Sequence, residues 1–375
     1  MSAYAVLAAA WGAEVAGWDR NETPYVEHVR SAGIPVTVSP DPEPPDGWEV
    51  FVSSAYDFPG RSRAELLAEL VALRRSIVVS GTHGKTTTSG MIAYCLEKLG
   101  HDPAYLIGGE IPQLGGNAGV GEGWLVVEGD ESDRTVERLR PEIAAVTNVE
   151  LDHHTTFSSQ AELEEMFERW LADVPRVVRG WELEPAAIEL ALPGRHNRRN
   201  AACALAVLEL CGVARDEAAT VLGSFRGAGR RFELVGESRG VAVYDDYAHH
   251  PSEVEAAIEA AREASPGRVL AAFQPHLYSR TRHLAREFAT ALSSADAVCV
   301  TEIYAAREEQ IGGVSGKLVV DAFAEVSPGA TIGWTPELDD AASFLAGRAQ
   351  EGDLVVTIGA GDVDRVARVL LELLR

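Results

Sequence analysis

Ser76-Ile77-Val78-Val79-Ser80-Gly81-Thr82-His83-Gly84-Lys85-Thr86-Thr87-Thr88 carries a short apolar run straight into a glycine-containing turn. Ser76–Ser80 holds no charge and reads as a fully buried strand. After the turn, Met91, Ile92, Cys95, Leu96 and Leu99 fall on one helical face, and Gly100 closes that helix. Strand, turn and helix in this order make a cradle for phosphate. Glycines let backbone N–H groups turn inward around phosphate oxygens, and the helix N-terminus adds the positive end of its dipole. Lys85 supplies a full charge for the β- and γ-phosphates, and the Thr86 hydroxyl can ligate Mg²⁺. The turn is a shortened G-x-x-G-K-T with its first glycine at Gly81, and its alternative reading is a fortuitous helix cap.

Two acidic clusters follow. Trp124–Val127 leads into Glu128-Gly129-Asp130-Glu131-Ser132-Asp133, and carboxylates at a strand end beside a phosphate loop are where Mg²⁺ is held. The alternative is a solvated acidic turn. The strand Ile143–Asn148 runs on into Val149-Glu150-Leu151-Asp152-His153-His154, a cluster suited to metal or phosphate. Arg195-His196-Asn197-Arg198-Arg199-Asn200 opens an amphipathic helix. Its Asn and His side chains fit a helix cap and an adenine edge equally well.

Beyond about Gly229 the pattern repeats. Strands are expected at Val241–Tyr244, Arg268–Phe273, Ala297–Thr301 and Leu354–Ile358, with helices between them at, for example, Pro251–Ala264 and Thr281–Leu292. This is a doubly wound α/β pattern with a parallel sheet. Asp245-Asp246-Tyr247-Ala248-His249-His250 and Gln274-Pro275-His276-Leu277-Tyr278-Ser279-Arg280 follow two of these strands, at the edge where such sheets place ligands. Arg280 can form a fork with a carboxylate, and the aspartate pair can hold a ribose or an incoming ammonium. Upstream, a small α/β segment reaches about Arg74, with a strand at Val50–Ser53 and a helix at Arg61–Arg74.

The chain of 375 residues is long enough for two or three domains. With 33 basic and 57 acidic residues its formal charge is −24, which excludes ordinary nucleic-acid binding because phosphates are repelled. An anionic ligand therefore needs a local positive site such as the Lys85 loop. No apolar run approaches the ~18 residues of a membrane span, and no signal peptide opens the chain. Cys95, Cys203, Cys211 and Cys299 form no C-x-x-C pair and read as buried small hydrophobes in a reducing cytoplasm.

Eight stretches together resemble the Mur ligase family of cell-wall enzymes: 81–88, 128–133, 147–154, 192–201, 229–236, 245–253, 273–282 and 303–317. They lie in order over most of the chain. The resemblance implies an α/β, three-domain Mur ligase architecture with parallel and mixed sheets. Residues 1–74 would bind the UDP sugar, 75–228 would form a shortened P-loop ATP domain, and 229–375 would form a Rossmann-like amino-acid domain. It implies an ATP-dependent ligase that joins L-alanine to the lactyl carboxylate of UDP-N-acetylmuramate through an acyl phosphate, in the cytoplasm.

Lys85, Glu128 and His153 would be catalytic, and Thr86, Glu128 and His153 would hold Mg²⁺. Gly81, Thr82, His83, Gly84, Lys85, Thr86 and Thr87 would cradle ATP, with His196, Asn197 and Asn200 on the adenine side and Arg230 and Asp245 on the nucleotide. Asp246, His249, His276 and Arg280 would serve the alanine.

Met1-Ser2-Ala3-Tyr4 resembles residues that follow the family's Gly-rich loop, so the first strand and that loop are expected to be lacking. His153 to His196 is short for the central domain, and Leu277 stands where some relatives carry Arg. The competing expectations are a ligase that recycles a tripeptide onto the same sugar nucleotide, a non-catalytic homologue, and an unrelated P-loop ATPase.

Overall fold

Short apolar runs alternate with amphipathic ones, and the computed structural model turns that alternation into sheets flanked by helices. It describes residues 1–53, 55–152, 156–306 and 308–375. Contacts gather into two compact units, Met1–Ile188 with Arg199–Phe225, and Glu189–Arg198 with Arg226–Arg375.

The first unit begins with α1 (Ser2–Ala10), β1 (Gly17–Asp19), α2 (Pro24–Ser31), β2 (Val36–Val38), β3 (Phe51–Val52), β4 (Arg61–Ser62) and α3 (Arg63–Leu73). The strands pair in parallel as β1–β2 and β3–β4. Thr23 caps α2 ahead of Pro24, and a Ser62–Glu65 capping box starts α3.

Next come β5 (Ser76–Ser80), α4 (Lys85–Lys98), β6 (Ala104–Ile111), β7 (Gly116–Gly119), β8 (Leu125–Glu128), β9 (Ile143–Val146), α5 (Gln160–Leu171), β10 (Arg176–Arg179), α6 (Arg195–Leu210) and α7 (Arg215–Leu222). Their sheet runs β10-β9-β5-β8-β6-β7, parallel except for β7. Every residue of β5 is buried, as a strand covered on both faces requires. Leu67, Leu70 and Val71 of α3 and Leu163, Met166, Phe167 and Trp170 of α5 join one hydrophobic core with Val78, Leu125 and Ala144 of the sheet. Between β10 and α6 the described chain forms only a 3₁₀ turn, Gly180–Glu182.

The second unit contains β11 (Glu233–Ser238), β12 (Val241–Asp246), α8 (Pro251–Ala264), β13 (Val269–Phe273), α9 (Tyr278–Leu292), β14 (Ala297–Val300), α10 (Lys317–Val326), β15 (Thr331–Trp334), α11 (Leu338–Ala346), β16 (Leu354–Ile358) and α12 (Asp364–Leu373). Strand order is β11-β12-β16-β13-β14-β15, with only edge strand β11 antiparallel. Helices α8, α9 and α10 cover one face through Ile258, Phe288 and Phe323, while α11 and α12 cover the other through Leu345, Val366 and Leu370.

Two local expectations shift. Helix α9 starts at Tyr278, three residues before the expected Thr281, so Arg280 lies on its first turn. The reason is Leu277, whose φ of 71° turns the chain sharply at the N-cap. Cys211 is half-buried, whereas the other three cysteines are buried, and all four are free. Among the described residues no helix is long and apolar enough to cross a membrane.

Candidate active site

In the first unit the turn after β5 is fastened to the end of β9. Asn148 receives the His83 N–H at 2.9 Å and donates to the His83 carbonyl at 2.8 Å. The Thr82 hydroxyl donates to the Glu150 carbonyl at 2.8 Å. Two glycines allow the fit. Gly81 has φ 120°, and a Cβ there would sit 2.4 Å from Thr147 Oγ1. Gly84 has φ 79°, and a Cβ there would sit 2.4 Å from Asn200 Oδ1. Asn200, the expected adenine-side residue, therefore lies against the phosphate turn itself.

Lys85 opens α4, with Thr86 and Thr87 buried beside it. Its ammonium donates to the Gly81 carbonyl at 2.7 Å and to Glu131 Oε2 at 2.9 Å. Burial alone would lower the Lys85 pKa, but Glu131, Glu128 and Asp130 outweigh it and hold the group above its ordinary value. Thr86 Oγ1 donates to Glu128 Oε2 at 2.9 Å, and the Gly108 N–H donates to the same oxygen at 2.8 Å. A Cβ at Gly108 would lie 2.9 Å from the carboxylate and push it out of this position. Gly109 is pressed in the same way by Thr86, at 2.9 Å. The chain thus brings a cation, a hydroxyl and two carboxylates to one end of the sheet. His153, the remaining expected metal ligand, lies outside the described residues.

The second unit has its own cluster at the carboxyl ends of β12 and β13. Arg230 reaches Asp245 at 2.7 Å and also donates to the carbonyls of Gly359 and Gly361. Asp245 accepts from Thr357 at 2.6 Å. Asp246 uses its oxygens on the Phe232 and Ala248 N–H groups, each at 2.8 Å. Burial pushes its pKa up to about 7, against the pull of Arg231. His249 stands ring-edge to His276 at 5.7 Å, and Arg280 Nη1 lies 3.0 Å from His276 Nδ1. Burial drives the His249 imidazole down to about 3, so it is neutral. Arg280 is only 3% exposed.

His196 and Asn197 belong to this unit by their contacts, although Asn200 on the same helix belongs to the first. Asn197 donates to the Pro193 carbonyl at 2.7 Å. Burial lowers His196 to about 4, and its Nδ1 has no partner among the described residues.

Family comparison is specific. The model of the Mur ligase middle domain matches residues 79–176, and that of the Mur ligase glutamate ligase domain matches residues 230–361. A UDP-N-acetylmuramate–L-alanine ligase of Rubrobacter xylanophilus is 39% identical over 432 residues, covering 99% of this chain and 97% of the relative. The chain belongs to the Mur ligase family. A second ligase with the same printed activity, from Streptomyces coelicolor, is 38% identical over 441 residues, covering all of this chain and 95% of that one. The crystal structure of a UDP-N-acetylmuramate–alanine ligase from Thermotoga maritima superposes with a TM-score of 0.78 at 26% identity, over 99% of this chain and 96% of that one. Both sequence alignments are longer than the 375-residue chain, so these Mur ligases carry residues that this one lacks.

Two residues that hold the phosphate turn escaped the sequence reading. Glu131 stood among four carboxylates, and nothing local says which one turns inward to Lys85. Asn148 was quoted within its motif without a role. For Asn148 the available signal was Gly81, where a Cβ would lie 2.8 Å from the Asn148 carbonyl oxygen.

Proposed function

We propose that this chain is an ATP-dependent ligase that joins L-alanine to the lactyl carboxylate of UDP-N-acetylmuramate, in the cytoplasmic stage of peptidoglycan precursor synthesis. The observation that carries the reading is the Lys85 turn with its Thr86–Glu128 contact, set in a chain whose relatives of that printed activity align over nearly its whole length. Residues 1–74 take the UDP sugar, 75–228 take ATP and 229–375 take the amino acid.

A carboxylate is a poor electrophile, so ATP first passes its γ-phosphoryl group to the lactyl carboxylate and gives an acyl phosphate. The alanine amine then attacks the acyl carbon, and phosphate leaves from the tetrahedral intermediate. Lys85 binds the phosphates and offsets the negative charge that spreads over the transferring group. The turn's N–H groups orient the nucleotide, with Asn200 and the Asn148 clasp keeping the turn in shape. His249 and His276 line the alanine pocket, and Arg280 grips the alanine carboxylate.

Thr86 and Glu128 offer oxygen donors 2.9 Å apart, the hard-ligand chemistry that suits Mg²⁺, and they would hold it. Bound there, the ion would offset phosphate charge.

The test is phosphate release with ATP, Mg²⁺ and UDP-N-acetylmuramate, comparing L-alanine, glycine, L-serine and an L-alanyl tripeptide with mass detection of product. Alanine-dependent release with the mass of one added alanine is expected. Release with the tripeptide alone would move the reading to the recycling ligase, and ATP hydrolysis indifferent to the sugar nucleotide would overturn it.

A further inference from the structure

Residues 303–317 lie within the family-matched part of the second unit, yet the chemistry above gives them no role. They leave the end of β14 and return at the start of α10. Glu302 closes the excursion, because its Oε1 accepts from the Ile303 N–H at 2.8 Å and from the Gly316 N–H at 3.1 Å. Ile303 and Val314 are buried against Tyr278, with Ala305, Ile311 and Leu318 packed around them. The loop therefore has a small apolar core of its own, as compact functional loops often do. That core is shared with α9, whose first residue is Tyr278.

Helix α9 needs such a partner. Its N-cap is Leu277, which offers no side-chain acceptor, so the N–H groups of the first turn lack the usual cap. Arg280 adds a cation at the positive end of the helix dipole. Glu308 answers both demands from the loop, 29 residues beyond Ser279. Its Oε2 accepts from the Ser279 N–H at 2.9 Å, and its Oε1 accepts from the Ser279 hydroxyl. A carboxylate placed there caps the helix and offsets the charge of its start.

Tyr304 makes the second fastening. Its N–H donates to the Pro275 carbonyl at 2.9 Å, and its carbonyl accepts from the Leu277 N–H at 3.0 Å. Its ring stacks on His276 with centroids 5.9 Å apart and planes 15° apart. The loop thus grips the chain at Leu277 and at Ser279, immediately before Arg280, whose Nη1 lies 3.0 Å from His276 Nδ1.

We propose that Glu308 is a positioning residue for the amino acid. Through Ser279 it fixes the first turn of α9, so that Arg280 keeps its contact with His276 and its guanidinium keeps one orientation toward an α-carboxylate. This role rests on the reading of Arg280 as the alanine carboxylate's partner. Glu308 acts through Ser279 and not on the reacting atoms.

The experiment compares Glu308→Ala, Glu308→Gln, Ser279→Ala and Glu309→Ala in the full chain. Glu309 is exposed and serves as the control for lost surface charge. Two readouts are taken: kcat and KM for each substrate, and amide hydrogen exchange over residues 276–283. Glu308→Ala should raise KM for L-alanine about tenfold with kcat within about twofold, the scale of a lost helix cap and the signature of lost binding rather than lost chemistry. Exchange over the first turn of α9 should quicken, while KM for ATP and UDP-N-acetylmuramate stays as in the parent chain. Glu308→Gln keeps an acceptor oxygen for the Ser279 N–H and should recover most of the KM. Ser279→Ala loses only the hydroxyl half of the contact and should raise KM for L-alanine about threefold, as for one hydrogen bond. Glu309→Ala should match the parent chain. Unchanged exchange in Glu308→Ala, equal losses in kcat and kcat/KM, or a parallel rise in KM for all three substrates would overturn the proposal. Alanine-dependent turnover with KM for L-alanine unchanged in Glu308→Ala would overturn this role alone. A parent chain whose turnover ignores L-alanine would overturn the reading of the Arg280 site and this role with it.

Discussion

The two polar clusters handle burial in opposite ways. At the phosphate turn, Lys85 is buried yet stays charged, because carboxylates answer it: Glu131 at 2.9 Å, with Glu128 and Asp130 behind. In the second unit, burial goes largely unanswered. His249 falls to about 3 and Asp246 rises to about 7, each toward its neutral form. On the proposed roles, a site that receives a polyanion needs a permanent cation, and Glu131 would hold Lys85 ready until phosphate takes over. A site proposed for a small zwitterion would gain more from groups that keep their own charge low and leave Arg280 as the carboxylate's partner.

Lys85→Met breaks the first half of this contrast and has the largest expected effect. Phosphate release should fall by about 10³-fold, as for loss of a group that meets developing charge. Glu131, at 1% exposure, would be left buried without its cation, costing about 3–5 kcal/mol in denaturant unfolding. Lys85→Met with Glu131→Leu should restore most of that stability and none of the turnover. Full stability in the single variant would show that the pair is not what keeps Lys85 charged.

Gly84→Ala tests how tightly the turn is specified. It forces a side chain into φ 79° and against Asn200, so about 1–3 kcal/mol of stability should be lost along with most nucleotide affinity. Adding Asn200→Ala relieves the contact but not the backbone conformation. Partial recovery of the thermal midpoint is therefore expected, and no recovery would remove Asn200 from the turn's support.

The contrast also marks what a sequence can disclose. Strand β5 with its turn and α4 was legible because an apolar run, two glycines and a helical face all point the same way. So were β13, β14 and β16, each a buried apolar run, and β12, whose apolar start leads into two aspartates. Strand β6 was not, because Ala104–Ile111 contains Gly108 and Gly109, which lower strand propensity and are explained only by Thr86 and Glu128 pressing on them. Edge strand β11 was missed because its residues are mostly exposed and its pattern does not alternate. The motifs named the right chain segments for the polar clusters. Which member of 128–133 faces Lys85 depends on a strand end meeting a helix start 46 residues away, and no local pattern carries that.

Acid unfolding probes the second half of the contrast. His249 and His196 titrate at about 3 and 4 in the fold, below the ordinary 6.5, so the unfolded chain takes up their protons first. Their contribution is fully present above about pH 6.5 and is lost as pH falls toward 4. Asp246 works in reverse. Its folded value of about 7 exceeds 3.8, so the fold holds the extra proton at low pH and loses that advantage as pH rises from about 4 to 7. Two groups against one leave a net loss on the acid side. Thermal midpoints should drop from pH 6.5 to pH 4, and His249→Gln should make that limb shallower. Parallel limbs would mean that burial does not hold His249 neutral.

The smallest effect, and the sharpest for the proposed alanine site, is expected at Leu277. It stands between His276 and Arg280 with φ 71° and ψ 134°, a backbone state that only glycine adopts freely. Relief of that state by Leu277→Gly should stabilise the fold by about 1–2 kcal/mol. The added freedom of the unfolded chain offsets about 0.4–1 kcal/mol of it. Stability should thus change little, while the turn that aims His276 at Arg280 loses its stiffness. The expected signature is KM for L-alanine raised several-fold with kcat nearly kept. Equal losses in kcat and kcat/KM would instead place the turn's stiffness in the chemical step. A large loss of stability would show that Leu277 is retained for what its side chain packs against.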